Sequence, residues 1–216
     1  SILNMMYFIF IISLFIGFYL VQVGGWPIIV IGLSSILFAI VYTGGPFPLG
    51  YNGLGDIAVF VFFGLVSTLG TMYLQFQSTV HSIDIYDYML EIILASCAMG
   101  FLNTSILVVN NLRDHESDSL SNKKTLVVIF GERFGIFQYI FLVSLSLIFL
   151  IIIGSLFNNY WLLGMMAFNL LLAVYLITKM INYKNTNLNK LLEKTAKFAF
   201  LTSLLFGVSI YINIIA

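Results

Sequence analysis

The chain has 216 residues, 61% of them hydrophobic and 8% charged, with a formal net charge of zero. Its mean hydropathy of +1.06 lies far above the balance of soluble globular domains, which excludes an ordinary water-soluble fold; no nucleic-acid partner is expected. Apolar runs of about 20 residues cross a hydrocarbon core of roughly 30 Å as helices, so the fold expected is all-α, a polytopic transmembrane bundle in one domain over residues 1–216.

The first span runs from about Met5 to Val21. It begins almost at once after Ser1, with neither the basic start nor the small-residue cleavage site of a signal peptide, and the chain reads as lacking its natural beginning. Gly24-Gly25 then makes a tight turn, and Pro27 suits the first turn of a second span, about Pro27 to Val41, where its missing N–H costs little. The stretch Tyr42 to Asp56 is dense in Gly and Pro and cannot continue as helix. Two readings stay open for it: a plain turn between helices, or a loop whose glycines let backbone approach a ligand between the rings of Tyr42, Phe47 and Tyr51. Asp56 opens the third span, which ends near Gln75, and a carboxylate there also suits the positive end of a helix dipole. A polar segment with His81, Asp84, Asp87 and Glu91 follows. His81 has no neighbouring His or Cys and reads as a surface residue. Cys97, the only cysteine, lies in the fourth span, about Tyr88 to Val109, and reads as packing.

That span delivers the chain to Asn110-Asn111-Leu112-Arg113-Asp114-His115-Glu116-Ser117-Asp118. If the helix continues, Asn110, Asp114 and Asp118 project from one face at spacings of four. Two carboxylates and an amide at a membrane surface suit a hard divalent cation, and Arg113 and Lys123 stand near enough to meet its anion. The plainer reading is a solvated, charge-rich loop between two spans.

The run Thr125 to Gly131 is too short to cross a membrane and is expected at the interface. A fifth span covers about Phe134 to Phe157, a sixth about Tyr160 to Ile177, and a seventh about Phe198 to Ile215. The loop from Lys179 to Lys197 carries five lysines against one acid, Glu193, and reads as a positively charged cytoplasmic loop without a ligand. No Lys or Arg precedes Arg113. Both basic loops lie two spans apart and therefore on one side, which the positive-inside rule makes cytoplasmic. Counting back two more spans puts the Tyr42–Asp56 loop on that side too. The first span starts there, and a seventh leaves the C-terminus outside.

The motif Asn110-Asn111-Leu112-Arg113-Asp114-x-x-x-Asp118, with Lys123-x-Thr125-Leu126-Val127-Val128 after it, resembles the second aspartate-rich motif of the UbiA-type intramembrane prenyltransferases. Gly24 to Pro27, the pattern Tyr42-Thr43-x-x-x-x-Pro48-x-Gly50-Tyr51-x-Gly53-Leu54-Gly55-Asp56, and Phe62-Phe63-Gly64 match in the same order. The similarity is greatest to the branch acting on 1,4-dihydroxy-2-naphthoate in menaquinone biosynthesis. It implies a bundle of about nine helices, of which about seven stand here, and two aspartate motifs that hold Mg²⁺ against a polyprenyl diphosphate. It implies that Asp114, Asp118, Arg113 and Lys123 carry catalysis, with Asp114, Asp118 and Asn110 on the metal. Asn110, Asn111, Tyr42, Tyr51 and Asp56 would bind substrate, in the bilayer of a bacterial inner membrane with the site facing the cytoplasm. The family's first aspartate motif has no counterpart before Asp56, so the chain is expected to be a C-terminal portion. Asn122 stands where the family often has Gly, and Ser119 where a basic residue often follows the second aspartate. Acceptors such as 4-hydroxybenzoate or homogentisate are the near alternative. A transporter is the alternative from another class, but it calls for charges along a pathway, and the charges here gather in loops and at span ends.

Overall fold

The structure, a computed structural model, describes residues 2–79 and 85–215. His81 and Asp84 lie outside the described residues. The described chain is helical without named strands, and seven of its helices are long and apolar enough to cross a membrane. In lipid this is the economical solution, because a helix satisfies its backbone polar groups within one segment.

Helix α1 covers Ile2–Gly24 and α2 covers Trp26–Thr43, with Pro27 in the first turn of α2. Both lie at the periphery, and Phe8, Phe15, Phe18, Trp26 and Leu33 are exposed as side chains facing hydrocarbon are. After a short 3₁₀ turn at Leu49–Tyr51, the third span is built of α3 (Gly55–Phe60), a π-helical turn at Val61–Val66 and α4 (Ser67–Thr79). Helix α5 (Met89–Arg113) is the central column, packed against the third span on one side and against the later helices on the other. Two glycines make that packing close. A Cβ on Gly64 would lie 2.4 Å from Gly100 Cα, and one on Gly100 would lie 2.7 Å from the Phe60 ring. Small residues at such a crossing let backbones meet where hydrocarbon supplies no hydrophobic drive between helices. The π turn falls at this contact, as π-bulges often fall at sites under functional constraint.

Beyond α5 come α6 (His115–Leu120) and α7 (Leu126–Phe130), which Thr125 caps by accepting from Val128 N. In α7 Val127 is buried while Ile129 and Phe130 are exposed. Helices α8 (Glu132–Leu156), α9 (Tyr160–Ile181) and α10 (Leu188–Ile215) complete the bundle. Leu102, Val108, Val109, Tyr139, Val143, Leu150 and Ile153 form the core they share with α5. Some buried polar groups there are paired across helices. The Tyr139 and Thr195 hydroxyls are 3.0 Å apart, and Asn159 caps Leu162 N while donating to Ser209 O at 3.1 Å.

Several spans run a few residues beyond the sequence expectation, and two differences are larger. The seventh span begins at Leu188 rather than Phe198, so half of the expected basic loop is helix; Asn187 Oδ1 accepts from Lys190 N at 3.1 Å and caps that start. Long lysine stems can lie along apolar surface while their ammoniums stay in water, so they do not forbid helix there. The second difference is a break at Asp114, taken up below.

The Gly64–Gly100 contact leads to an expected outcome. Gly64→Ala should destabilise the bundle by about 1–3 kcal/mol, measured by unfolding in mixed detergent micelles. Gly32→Ala, where nothing lies within 4 Å of the added methyl, should stay within about 1 kcal/mol of the parent.

Candidate functional site

The segments carrying the motif residues meet at one end of the bundle. Lys124 N donates to Tyr51 O at 2.9 Å, and Asn52 and Lys124 form a parallel backbone bridge. Gly53, at φ +75°, makes the turn that brings the loop there, a conformation costly for residues with a Cβ. Asn52 Nδ2 holds the loop's shape by donating to Pro48 O at 2.7 Å. The loop is thus neither a plain turn nor a free flap. Its glycines allow close approach to the chain's own Tyr42, whose ring would stand 3.2 Å from a Cβ on Gly50.

This docking encloses a cavity of about 230 Å³ whose walls include Tyr42, Tyr51, Asp56, Asn110, Asn111 and Lys123. Tyr42 also lines a second, apolar cavity of about 580 Å³ between α2 and α3, with Phe38, Ala58 and Phe62. The Phe38 and Phe62 rings stack there with centroids 3.9 Å apart. A polar chamber and a greasy one therefore share a tyrosine wall.

Arg113, Asp114 and Asp118 sit beside the polar cavity rather than in its lining. Helix α5 stops at Arg113, and Asp114 at φ −94°, ψ 6° departs from helical geometry before α6 begins. The continuous helix expected through Asp118 is therefore interrupted. The cause is local: Arg113 Nε and Nη2 donate to the two carboxylate oxygens of Asp114 at 2.7 Å each. Neighbours in sequence do not face each other on a regular helix, so this fork requires the backbone to turn. The spacing of four nevertheless persists in the backbone, with Asp114 N donating to Asn110 O at 3.0 Å and Asp118 N to Asp114 O at 2.8 Å.

Arg113 also donates to Asn110 Oδ1 at 2.9 Å and to Asn189 Oδ1, from the start of α10, at 3.3 Å. The guanidinium holds the Asp114 carboxyl below the usual carboxylate range. Asp118 is buried, and Lys123 Nζ donates to its Oδ2 at 3.0 Å. Lys123 also stands 5.9 Å from the centre of the Tyr51 ring. The turn that returns Lys123 passes through Asn122 at φ 56°, the left-handed backbone that Asn tolerates in place of Gly.

Each carboxylate of the motif is thus matched by one cation. Among the described residues no group of three or more His, Cys, Asp or Glu is placed to hold a metal ion. The donors at hand, Asp114, Asp118 and Asn110, are hard oxygens. They suit Mg²⁺, which commonly takes one or two carboxylates and completes its shell with water and phosphate oxygens.

One residue escaped the sequence reading. Gln138 of α8 donates from Nε2 to Asp56 Oδ1 at 3.0 Å, reaching across the bundle to a carboxylate that is 5% exposed. Its own Oε1 is buried without a hydrogen-bond partner among the described residues. The signal available was an amide early in an otherwise apolar span, but nothing in the spacing links positions 56 and 138.

The UbiA prenyltransferase family matches residues 3–204. The chain belongs to this family. It is 38% identical over 190 residues to the 1,4-dihydroxy-2-naphthoate octaprenyltransferase of Escherichia coli (strain K12), a match covering 86% of this chain and 58% of that protein. The protein of the same name from Haemophilus influenzae is 36% identical, over 85% of this chain and 57% of the relative. The UbiA prenyltransferase domain-containing protein 1 of Gallus gallus is 27% identical, over 81% of this chain and 47% of its own. The chain therefore spans less than two thirds of the length of these relatives. No solved structure matches it. As a UbiA-family chain it brings to one end of its bundle the loop residues, the α5 amides and the paired carboxylates.

Two outcomes follow from this UbiA-family geometry. Arg113→Gln should raise the Asp114 titration toward the usual carboxylate range, read from the carboxylate signal of ¹³C-labelled aspartate. Because the folded-state value is the lower one, the stability from this pair is present above the unfolded carboxylate pKa and fades as pH falls through the folded value. Gln138→Leu, which removes the donor from buried Asp56, should cost about 1–3 kcal/mol. It should cost less in an Asp56→Ala background, as a double-mutant cycle measures.

Proposed function

We propose that this chain carries the Mg²⁺-dependent transfer of a polyprenyl group from polyprenyl diphosphate to 1,4-dihydroxy-2-naphthoate, with loss of the carboxyl group as CO₂. The product stays at the oxidation level of the acceptor: it is demethylmenaquinol, the reduced form of demethylmenaquinone. The observation that carries the reading is the pairing of Asp114 with Arg113 and of Asp118 with Lys123 beside a tyrosine-walled polar cavity that adjoins an apolar one. The names of the Escherichia coli and Haemophilus influenzae relatives support the choice of acceptor.

Asp114, Asp118 and Asn110 would hold the metal, which supplies positive charge against the diphosphate. Arg113 and Lys123 are then free to turn from their carboxylates to phosphate oxygens, and they stabilise the negative charge that gathers as the allylic C–O bond breaks. The isoprenoid tail lies in the apolar space between α2 and α3. The rings of Tyr42 and Tyr51 offer their faces to the allylic cation. Asp56, held by Gln138, accepts a hydrogen bond from a ring hydroxyl of the acceptor, which keeps the ring electron-rich and oriented. Asn110 and Asn111 complete the polar wall. The new C–C bond forms as the ring attacks the allylic carbon, the diphosphate leaves with the electron pair of the broken C–O bond, and the carboxyl leaves as CO₂ with its C–C bonding pair returned to the ring. The site faces the cytoplasm from a bacterial inner membrane in this reading, since the basic segments share its end of the bundle.

The test uses membranes carrying the polypeptide as encoded, supplied with Mg²⁺, polyprenyl diphosphate and, separately, 1,4-dihydroxy-2-naphthoate, 4-hydroxybenzoate and homogentisate. Prenyl transfer should be fastest to the naphthoate, and Asp114→Asn and Asp118→Asn should each lower kcat/KM by at least about 100-fold. Unchanged transfer in both variants would sink the assigned carboxylates. Preference for a benzenoid acceptor would sink the naphthoate.

A further inference from the structure

The basic segment at the turn between α9 and α10 has no part in the proposed reaction, yet it is built into a groove. Lys190, Lys194 and Lys197 recur at helical spacing on α10, and Tyr175 and Lys179 do so on α9. Between them is a cavity of about 170 Å³ whose walls include Tyr175, Lys179, Lys190 and Lys194. Tyr175 organises it. Lys194 Nζ donates to the Tyr175 hydroxyl at 2.6 Å and lies 4.9 Å from the ring centre, while Lys179 Nζ lies 5.8 Å from the same ring. Attraction to the ring gathers two ammoniums without neutralising either. Glu193 is taken by Lys197, and Lys179, Lys190 and Lys194 form no ion pair among the described residues.

The groove does not end at the lysines. Tyr175 and Lys194 also line an apolar compartment of about 260 Å³ with Leu172, Leu176, Phe198 and Leu201. Leu201 in turn lines a wider space of about 720 Å³ that reaches Tyr160 and Trp161 at the far end of α9. From Lys194 to Leu205 the helix rises about 16 Å at 1.5 Å per residue. That is close to half of the roughly 30 Å hydrocarbon core, the reach of one leaflet.

We propose that this groove binds an anionic phospholipid, its phosphate held by Lys179, Lys190 and Lys194 and an acyl chain laid along Leu172, Leu176, Phe198 and Leu201. The charge of the upper chamber selects an anion, and the apolar compartment below it selects one with a tail. Basic pockets between membrane helices are a recurring solution for such headgroups. The groove is separate from the α2–α3 cavity, so the inference does not rest on the prenyl-transfer reading.

The experiment is native mass spectrometry of the purified protein in detergent, titrated with phosphatidylglycerol, phosphatidylcholine, inorganic phosphate and polyprenyl diphosphate. Phosphatidylglycerol should bind at least about tenfold more tightly than phosphatidylcholine. The Lys179→Gln/Lys190→Gln/Lys194→Gln variant should erase that preference, and Leu201→Trp, which fills the apolar compartment, should weaken both lipids. Should the triple variant fail to fold by its melting curve, Lys190→Gln and Lys194→Gln alone should each lower phosphatidylglycerol binding several-fold. Equal binding of the two lipids, or a preference that survives the lysine substitutions in a folded protein, overturns the site. Displacement of phosphatidylglycerol by inorganic phosphate at equal concentration overturns the lipid in favour of a free anion. Stronger, lysine-dependent binding of polyprenyl diphosphate overturns it in favour of an isoprenoid.

Discussion

The close crossing of the third span and α5 at Gly64 and Gly100 is the contact on which the candidate site depends. Asp56 stands near the start of one element, and Asn110 and Asn111 near the end of the other. Two membrane helices attract one another through packing rather than through exclusion of water, so their separation follows from the smallest side chains between them. With any Cβ at Gly64 the backbones would part, and the cavity between Asp56 and the amides of α5 would change shape with them. The backbone bond from Lys124 to Tyr51 then closes the open side of that cavity. A packing contact within the spans thus sets the width of a polar chamber at their end.

Electrostatics imposes the second constraint. Carboxylates at a membrane surface are costly to leave unpaired in partly dehydrated surroundings, and the chain meets that cost with one cation for each. The bidentate fork of Arg113 on Asp114 and the bond of Lys123 to Asp118 leave the motif locally neutral.

Much of the architecture was legible because membrane physics simplifies the code. Run length alone located seven spans, and parity placed the polar loops together before any contact was known. The candidate cavity residues, from Tyr42 in the glycine-rich loop to Lys123 after the turn, were legible through the resemblance to the family's motifs, while local composition left the loop open between a plain turn and a ligand loop. What escaped was set by side chains acting against regular geometry or across long separations. The break at Asp114 follows from a fork between adjacent residues that a helical spacing argument does not contain. The early start of α10 follows from an Asn187 cap that lysine content obscured. Gln138 reaches Asp56 from a helix far along the chain, and one-dimensional spacing carries no trace of that contact.

The distribution of polar groups along the chain has a topological cause. An apolar helix must return after each crossing, so every second connection lies on the same side of the membrane. Chemistry that needs several segments to meet at one surface must therefore be written into alternate loops, with the intervening ones free to be short. The glycine-rich loop, the Asn110–Lys124 segment and the α9–α10 turn obey this rule. The bonds from Lys124 to Tyr51 and from Arg113 to Asn189 join all three. Two of the opposite connections, at Gly24-Gly25 and Asn158-Asn159, are tight turns. The start of α10 serves two neighbourhoods at this end of the bundle: Asn189 accepts from Arg113, and Lys190, one residue later, lines the groove between α9 and α10. Successive residues on a helix point in different directions, so one helix start can serve both.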